Sequence, residues 1–237
     1  MATTVDTRVT PALHEATIKE LEGYDEETAV YVAPVEEAFS DARITLGKLH
    51  DAKAAAASNE AWTEAQRVLL VSKEADKQQE RLCKKFDAVH TALKKQVEHI
   101  DQQLSQPLKE KAGMGSLNGE VRAYAKALSR EDRTKMVEQA FAAGDTDTLH
   151  ALLGAQHFLS GFIPEEHAFY VRKFHEMQNP ALVKRLTVTR AAMRAVEERA
   201  PLIFPQIDKV LGMRRDKVKA IAKQNEDALA ALKFGAQ

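Results

Sequence analysis

The sequence predicts an all-α protein, elongated and built on a long-helix or coiled-coil stem with a small helical unit between the two stem halves. Three observations carry that expectation. The 59 residues from Lys48 through Gln106 contain neither glycine nor proline. Apolar side chains recur at helical spacing through their second half. The valine, isoleucine, threonine and aromatic alternation that marks strands is absent beyond fragments such as Ala29–Val32, in a chain that is 44% hydrophobic but only 6% aromatic.

The first segment, residues 1–61, reads as short helices joined loosely. Pro11 and Pro34 sit near helix starts, Gly23 follows a helix end, and Gly47 is a weak point. Glu36 and Glu37 behind Pro34 suit the positive end of a helix. The Ala52–Ala57 run is helix-prone yet offers little to bury.

The second segment, residues 62–112, is the stem helix. Its apolar register runs through Leu82, Phe86, Val89, Leu93, Val97, Ile100, Leu104 and Leu108. Leu82, Leu93 and Leu104 stand eleven residues apart, a repeat that gives a straight or slightly right-handed supercoil. A single helix of this length would rise about 1.5 Å per residue and outrun a compact domain, so its seam needs a partner.

Pro107 and the glycines Gly113, Gly115 and Gly119 end that helix and open the third segment, residues 113–163. Short helices are expected at Glu120–Leu128, after a Ser129-x-x-Asp132 box up to Gly144, and from Asp145 or Thr146 to Gly154. Seven of the fourteen aromatic residues lie between Tyr124 and Phe174, which places a core here.

The last segment, residues 164–237, starts a helix at Pro164 with Glu165 and Glu166, interrupts it at Asn179-Pro180 and kinks between Pro201 and Pro205. A final basic helix is expected over residues 206–234. Its heptad seam is Ile207, Leu211, Arg214, Val218, Ile221, Asn225, Ala228 and Leu232, and Asn225 on that seam is either a device that fixes register or an incidental polar residue on a half-exposed face.

Charge divides unevenly along the chain. Residues 1–61 hold 5 Lys/Arg against 12 Asp/Glu, and residues 164–237 hold 14 against 9. Such polarity is satisfied by antiparallel pairing within one chain, by head-to-tail contact between copies, or by separate partners for each end.

No chemistry-bearing motif is complete. Asp87-x-x-His90 and Asp147-x-x-His150 lack a second acidic ligand, so no metal or cofactor is expected. Cys83 stands between Leu82 and Lys84, where lysines would lower its pKa, but a helix middle offers no oxyanion hole. The Gly113–Gly119 cluster lacks the strand and the Gly-Lys-Ser/Thr ending of a phosphate loop and reads as a hinge. No catalytic residue is therefore assigned. Arg215, Lys219 and Lys223, four apart, form a basic stripe suited to an acidic protein surface or, as an alternative, to nucleic acid, if it is more than a solvated face.

A lone cysteine, no apolar h-region in Met1–Thr10 and no apolar run of about 18 residues lead to the expectation of a cytoplasmic protein with no membrane contact. The segment Glu120-Val-Arg-Ala-Tyr-Ala-Lys-Ala-Leu-Ser129, with Ala143–Ala155 and Leu159-Ser-Gly161, resembles uncharacterised helical proteins of tailed phages and prophages. The resemblance implies a setting in virion structure or assembly, in the bacterial host or within the particle, with coat, portal or another virion protein as partner. In that setting the acidic front, helical rod and basic final helix are similar to the plan of capsid scaffolding proteins. The function expected is a non-catalytic interaction protein that forms a homo-oligomer through the two seams.

Overall fold

Two local caps divide the glycine- and proline-free stretch. In this computed structural model, which describes residues 6–109 and 115–232, helix α1 spans Ala29–Ser58 and helix α2 spans Glu64–Leu104. The Asn59 side chain accepts a hydrogen bond from the Ala61 amide at 2.9 Å and turns the chain. Thr63 and Gln66 then form a reciprocal cap: the Thr63 amide donates to Gln66 Oε1 at 3.0 Å, and the Gln66 amide donates to Thr63 Oγ1 at 3.3 Å. The stem helix expected over residues 62–112 is thus α2, and the glycine- and proline-free residues 48–58 before it belong to α1.

The first segment also departs from the expectation of loosely joined short helices. α1 is 30 residues long and runs through both Pro34 and Gly47. Pro34 lies in the second turn, where it forfeits one ladder bond. Gly47 is buried where a β-carbon would meet Asp6 Oδ2 at 3.0 Å, so its missing side chain admits the N-terminal segment.

The remaining helices are α3 Gly115–Ala127, α4 Arg130–Ala143, α5 Thr146–Leu153, α6 Pro164–Gln178, α7 Pro180–Arg199, α8 Ile203–Leu211 and α9 Arg215–Leu232. Among the described residues there is no strand, so the fold is all-α with long helices. Most boundaries follow local chemistry. Ser129 caps α4 by accepting from the Asp132 amide at 3.1 Å, Gly144 ends it at φ 65°, and Asp145 caps α5 by accepting from the Thr148 amide at 3.0 Å. Pro164 and Pro180 occupy first helical positions.

Gly115 and Gly119 lie inside α3, not in a hinge, while Gly113 falls outside the described residues. The expected final helix is broken: Gly212 takes a left-handed conformation at φ 64° and terminates α8, so Ile207 and Leu211 belong to a different helix from Val218, Ile221, Asn225 and Leu232. Phe234 lies outside the described residues.

The chain forms two units, Met1–Lys95 with Thr187–Gln237, and Gln96–Leu186. The boundaries fall inside α2 and inside α7, whereas four consecutive segments were expected from composition. In the first unit α1 turns Val35, Phe39, Ala42, Leu46 and Leu49 inward against Leu13 and Ile18 of two N-terminal 3-10 turns, Leu82 and Phe86 of α2, and Ile203 and Ile207 of α8. In the second, Val137, Leu149, Leu152, Phe162, Tyr170 and Phe174 form the main cluster, and Ile100 and Leu104 pack with Leu186 in a smaller one.

Candidate functional site

The helical seams are the residues from which function was expected, so their surroundings decide what they do. Leu82, Phe86 and Leu93 are buried in the core of the first unit, and Val89 packs against it. Ile100 and Leu104 are buried in the second unit, with Val97 against them. The stem seam is therefore covered by the chain's own side chains, which leaves no continuous apolar stripe there for a second copy. The cover for these residues comes from within the chain.

The second seam behaves differently along its length. Ile207, Leu211 and Val218 are buried, Ile221 is half-buried, and every residue from Lys223 to Leu232 is exposed. Asn225, Leu229 at 53% and Leu232 at 66% exposure thus stand in solvent on α9.

The basic stripe is not uniform either. Arg215 is held inside the first unit: Nε donates to Asp208 Oδ1 at 2.7 Å, Nη2 to Gln79 Oε1 at 2.6 Å, and Nη1 to Asp76 Oδ1 at 3.3 Å. These bonds fasten the start of α9 to α8 and α2, so Arg215 is spent on position. Lys219 and Lys223 are exposed.

Internal pairing also absorbs much of the acidic front. Arg43 meets Glu15 at 2.8 Å, Arg81 meets Asp41 at 2.7 Å and Lys85 meets Glu37 at 2.8 Å. α1 itself supplies Arg43 and α2 supplies Arg81 and Lys85, and the C-terminal part contributes Lys209 Nζ, which donates to the Arg8 carbonyl at 2.9 Å.

The candidate ligands and nucleophile have structural surroundings. His90 Nε2 lies 2.8 Å from Glu197, and the His150 ring packs edge-on to Phe174 at 5.0 Å with Nδ1 3.2 Å from the Lys109 carbonyl oxygen. Among the described residues no three His, Cys, Asp or Glu side chains gather in a metal-binding group. Burial, reinforced by the nearby Asp87 charge, pushes the Cys83 thiol up, opposite to the effect expected of Lys84 and Lys85. No described helix is long and apolar enough to cross a membrane.

Two surface features were not anticipated. In the second unit Tyr124, Phe158 and Phe169 are exposed, although aromatic density placed them with the core. In the first unit the alanine run of α1 is too small to fill the space against α2 and leaves a hollow of about 440 Å³ lined by Ala52, Ala55, Trp62 and Leu70. Low side-chain volume at 52–57 was the signal available for it.

Comparison with known proteins leaves this geometry to stand by itself. No protein-family model, curated protein or solved structure matches the chain.

Proposed function

We propose that the protein is a non-catalytic helical interaction protein that self-associates and serves as a structural or assembly component of a phage virion, of the scaffold-like, internal or head-to-tail kind. The observation that carries the reading is the outer half of α9, an amphipathic helix whose apolar residues Leu229 and Leu232 face solvent while the other long seam is consumed in the fold. The phage setting rests on the resemblance of residues 120–161.

Light scattering coupled to size exclusion, at low and high salt, tests self-association. A discrete oligomer at both salts is expected because the exposed seam is apolar; a monomer at every concentration refutes it. Co-purification with coat or portal protein from infected cells tests the setting. Exposed Lys219 and Lys223 favour a second reading, a nucleic-acid-binding accessory protein. It requires binding that falls steeply with salt and is lost in a Lys219→Ala/Lys223→Ala variant.

A further inference from the structure

α9 separates its residues by face. Val218, Ile221, Asn225, Ala228 and Leu232 follow heptad spacing, and the positions beside them, Ala222, Gln224, Leu229 and Ala231, carry no charge. Lys219, Lys223, Glu226 and Asp227 all fall on the opposite side of the helix. The uncharged side ends in solvent, since every residue from Lys223 to Leu232 is exposed.

We infer that the outer half of α9 pairs with α9 of a second copy, parallel and in register at Asn225. This rests on the self-association proposed above and names the surface that produces it.

Three features select this occupant. The 3, 4, 3, 4 spacing matches a helix with the same heptad repeat, whereas the eleven-residue repeat of α2 drifts away from it. Over Gln224–Leu232 the face and its flanks are neutral, with Lys217 flanking only the buried inner end at Val218, so a second copy meets no like charge there, while an acidic peptide or a nucleic acid finds no cation on it. Asn225 stands mid-face at the first core position of its heptad. Opposite an aliphatic residue its amide would be desolvated without a partner; opposite Asn225 of a second copy, each amide both donates and accepts. That pairing exists only in the parallel, in-register arrangement.

The same features limit its strength. Asn225 to Leu232, the part of the seam left in solvent, rises about 10 Å at 1.5 Å per residue, one heptad in all. With alanine at Ala222, Ala228 and Ala231, such a contact lies at or below the low end of the roughly 1,200–2,000 Å² of stable interfaces. Association is therefore concentration-dependent in dilute solution and firm where other contacts hold copies together.

The test combines sedimentation over a range of concentrations with cysteine cross-linking of the full chain. A Leu229→Asp/Leu232→Asp variant is expected to need at least tenfold more protein to associate, with an unchanged melting temperature because both side chains are exposed. In a Cys83→Ser background, oxidation of Asn225→Cys should give a disulfide dimer, since equivalent core positions approach within the roughly 4.4–6.8 Å Cα separation a disulfide spans. Lys223→Cys, on the outer face, should not. Association unaffected by the Asp pair, or cross-linking absent at 225 or equal at 223, overturns the α9 pairing, while a persisting oligomer leaves self-association standing. A wild-type monomer at all concentrations overturns both.

Discussion

Arg81 holds Asp41 with two nitrogens, Nη1 to Oδ2 at 2.7 Å and Nη2 to Oδ1 at 3.0 Å, joining α2 to α1. Hydrogen bonding to Arg81, aided by Lys85, lowers the Asp41 carboxyl to about 2. A carboxyl depressed in the folded state stabilises fully above its unfolded value of about 3.9 and loses that contribution as pH falls toward the folded value. Asp41→Asn is expected to cost about 1 kcal/mol at pH 7, limited by solvent exposure of the pair. The deficit should close between pH 4 and pH 2 in thermal melts of the two proteins, and shrink in high salt.

Phe86 meets Phe39 edge-on, with ring centroids 5.1 Å apart and planes at 85°. Phe86 is 3% exposed in the core of the first unit. Phe86→Ala should therefore cost about 3–5 kcal/mol in urea unfolding, the range for a truncated core aromatic. A seam reserved for a second copy would instead leave monomer stability nearly unchanged and alter only mass. Val89→Asp, against the same core, is expected to lower stability, whereas Ile221→Asp on α9 is expected to lower oligomeric mass.

Gly161 in the second unit sits at φ +77°, where a β-carbon would lie 3.2 Å from Lys126 Cα and against the Arg133 guanidinium. That guanidinium donates to the Gly161 carbonyl and lies 5.8 Å above the Phe162 ring, while Arg133 as a whole is only 8% exposed. Gly161→Ala adds left-handed backbone strain of roughly 1–2 kcal/mol and displaces a buried cation from its acceptor at a further 1–3 kcal/mol. Faster amide hydrogen exchange in α4 and α6 would register the loss. Unchanged protection there would show that Arg133 relaxes without cost.

What could be read from the sequence divides along a physical line. Boundaries fixed by one side chain bonding to nearby backbone were legible: the Ser129 cap, the Asp145 cap, the break at Asn179-Pro180. The Asn59 to Thr63 break was not read, although Thr63-x-x-Gln66 carries its signal, because glycine and proline alone do not reveal it. Pro34 and Gly47 within α1 were not, because packing of a whole helix face outweighs one lost backbone bond or one missing side chain. Periodicity found the faces of α2 and α9 that carry apolar residues. It carries no information on what covers them, so Leu82 in a core and Leu232 in solvent had the same signature. Aromatic density likewise left exposed Phe158 indistinguishable from buried Phe162.

His167 is expected to give the second unit a sensitivity to mild acid. Its Nε2 lies 3.0 Å from the Leu153 carbonyl oxygen, and its ring is 6.5 Å from that of His157, whose Nδ1 lies 3.0 Å from the Phe162 carbonyl oxygen. Burial pushes the His167 pKa down against the opposing hydrogen bond to Leu153, and the nearby His157 ring adds to the downward shift. A histidine depressed in the folded state binds its proton more readily when unfolded, so stability falls as pH drops below the unfolded value of about 6.5. The loss should reach its limit once pH passes below the folded value. His167→Gln keeps a polar group beside Leu153 without a titrating ring, and it should flatten stability between pH 7 and pH 5 relative to wild type. Chemical denaturation at those two pH values, followed through exchange of amides in α5 and α6, measures it. Equal slopes in the two proteins would place the acid sensitivity elsewhere.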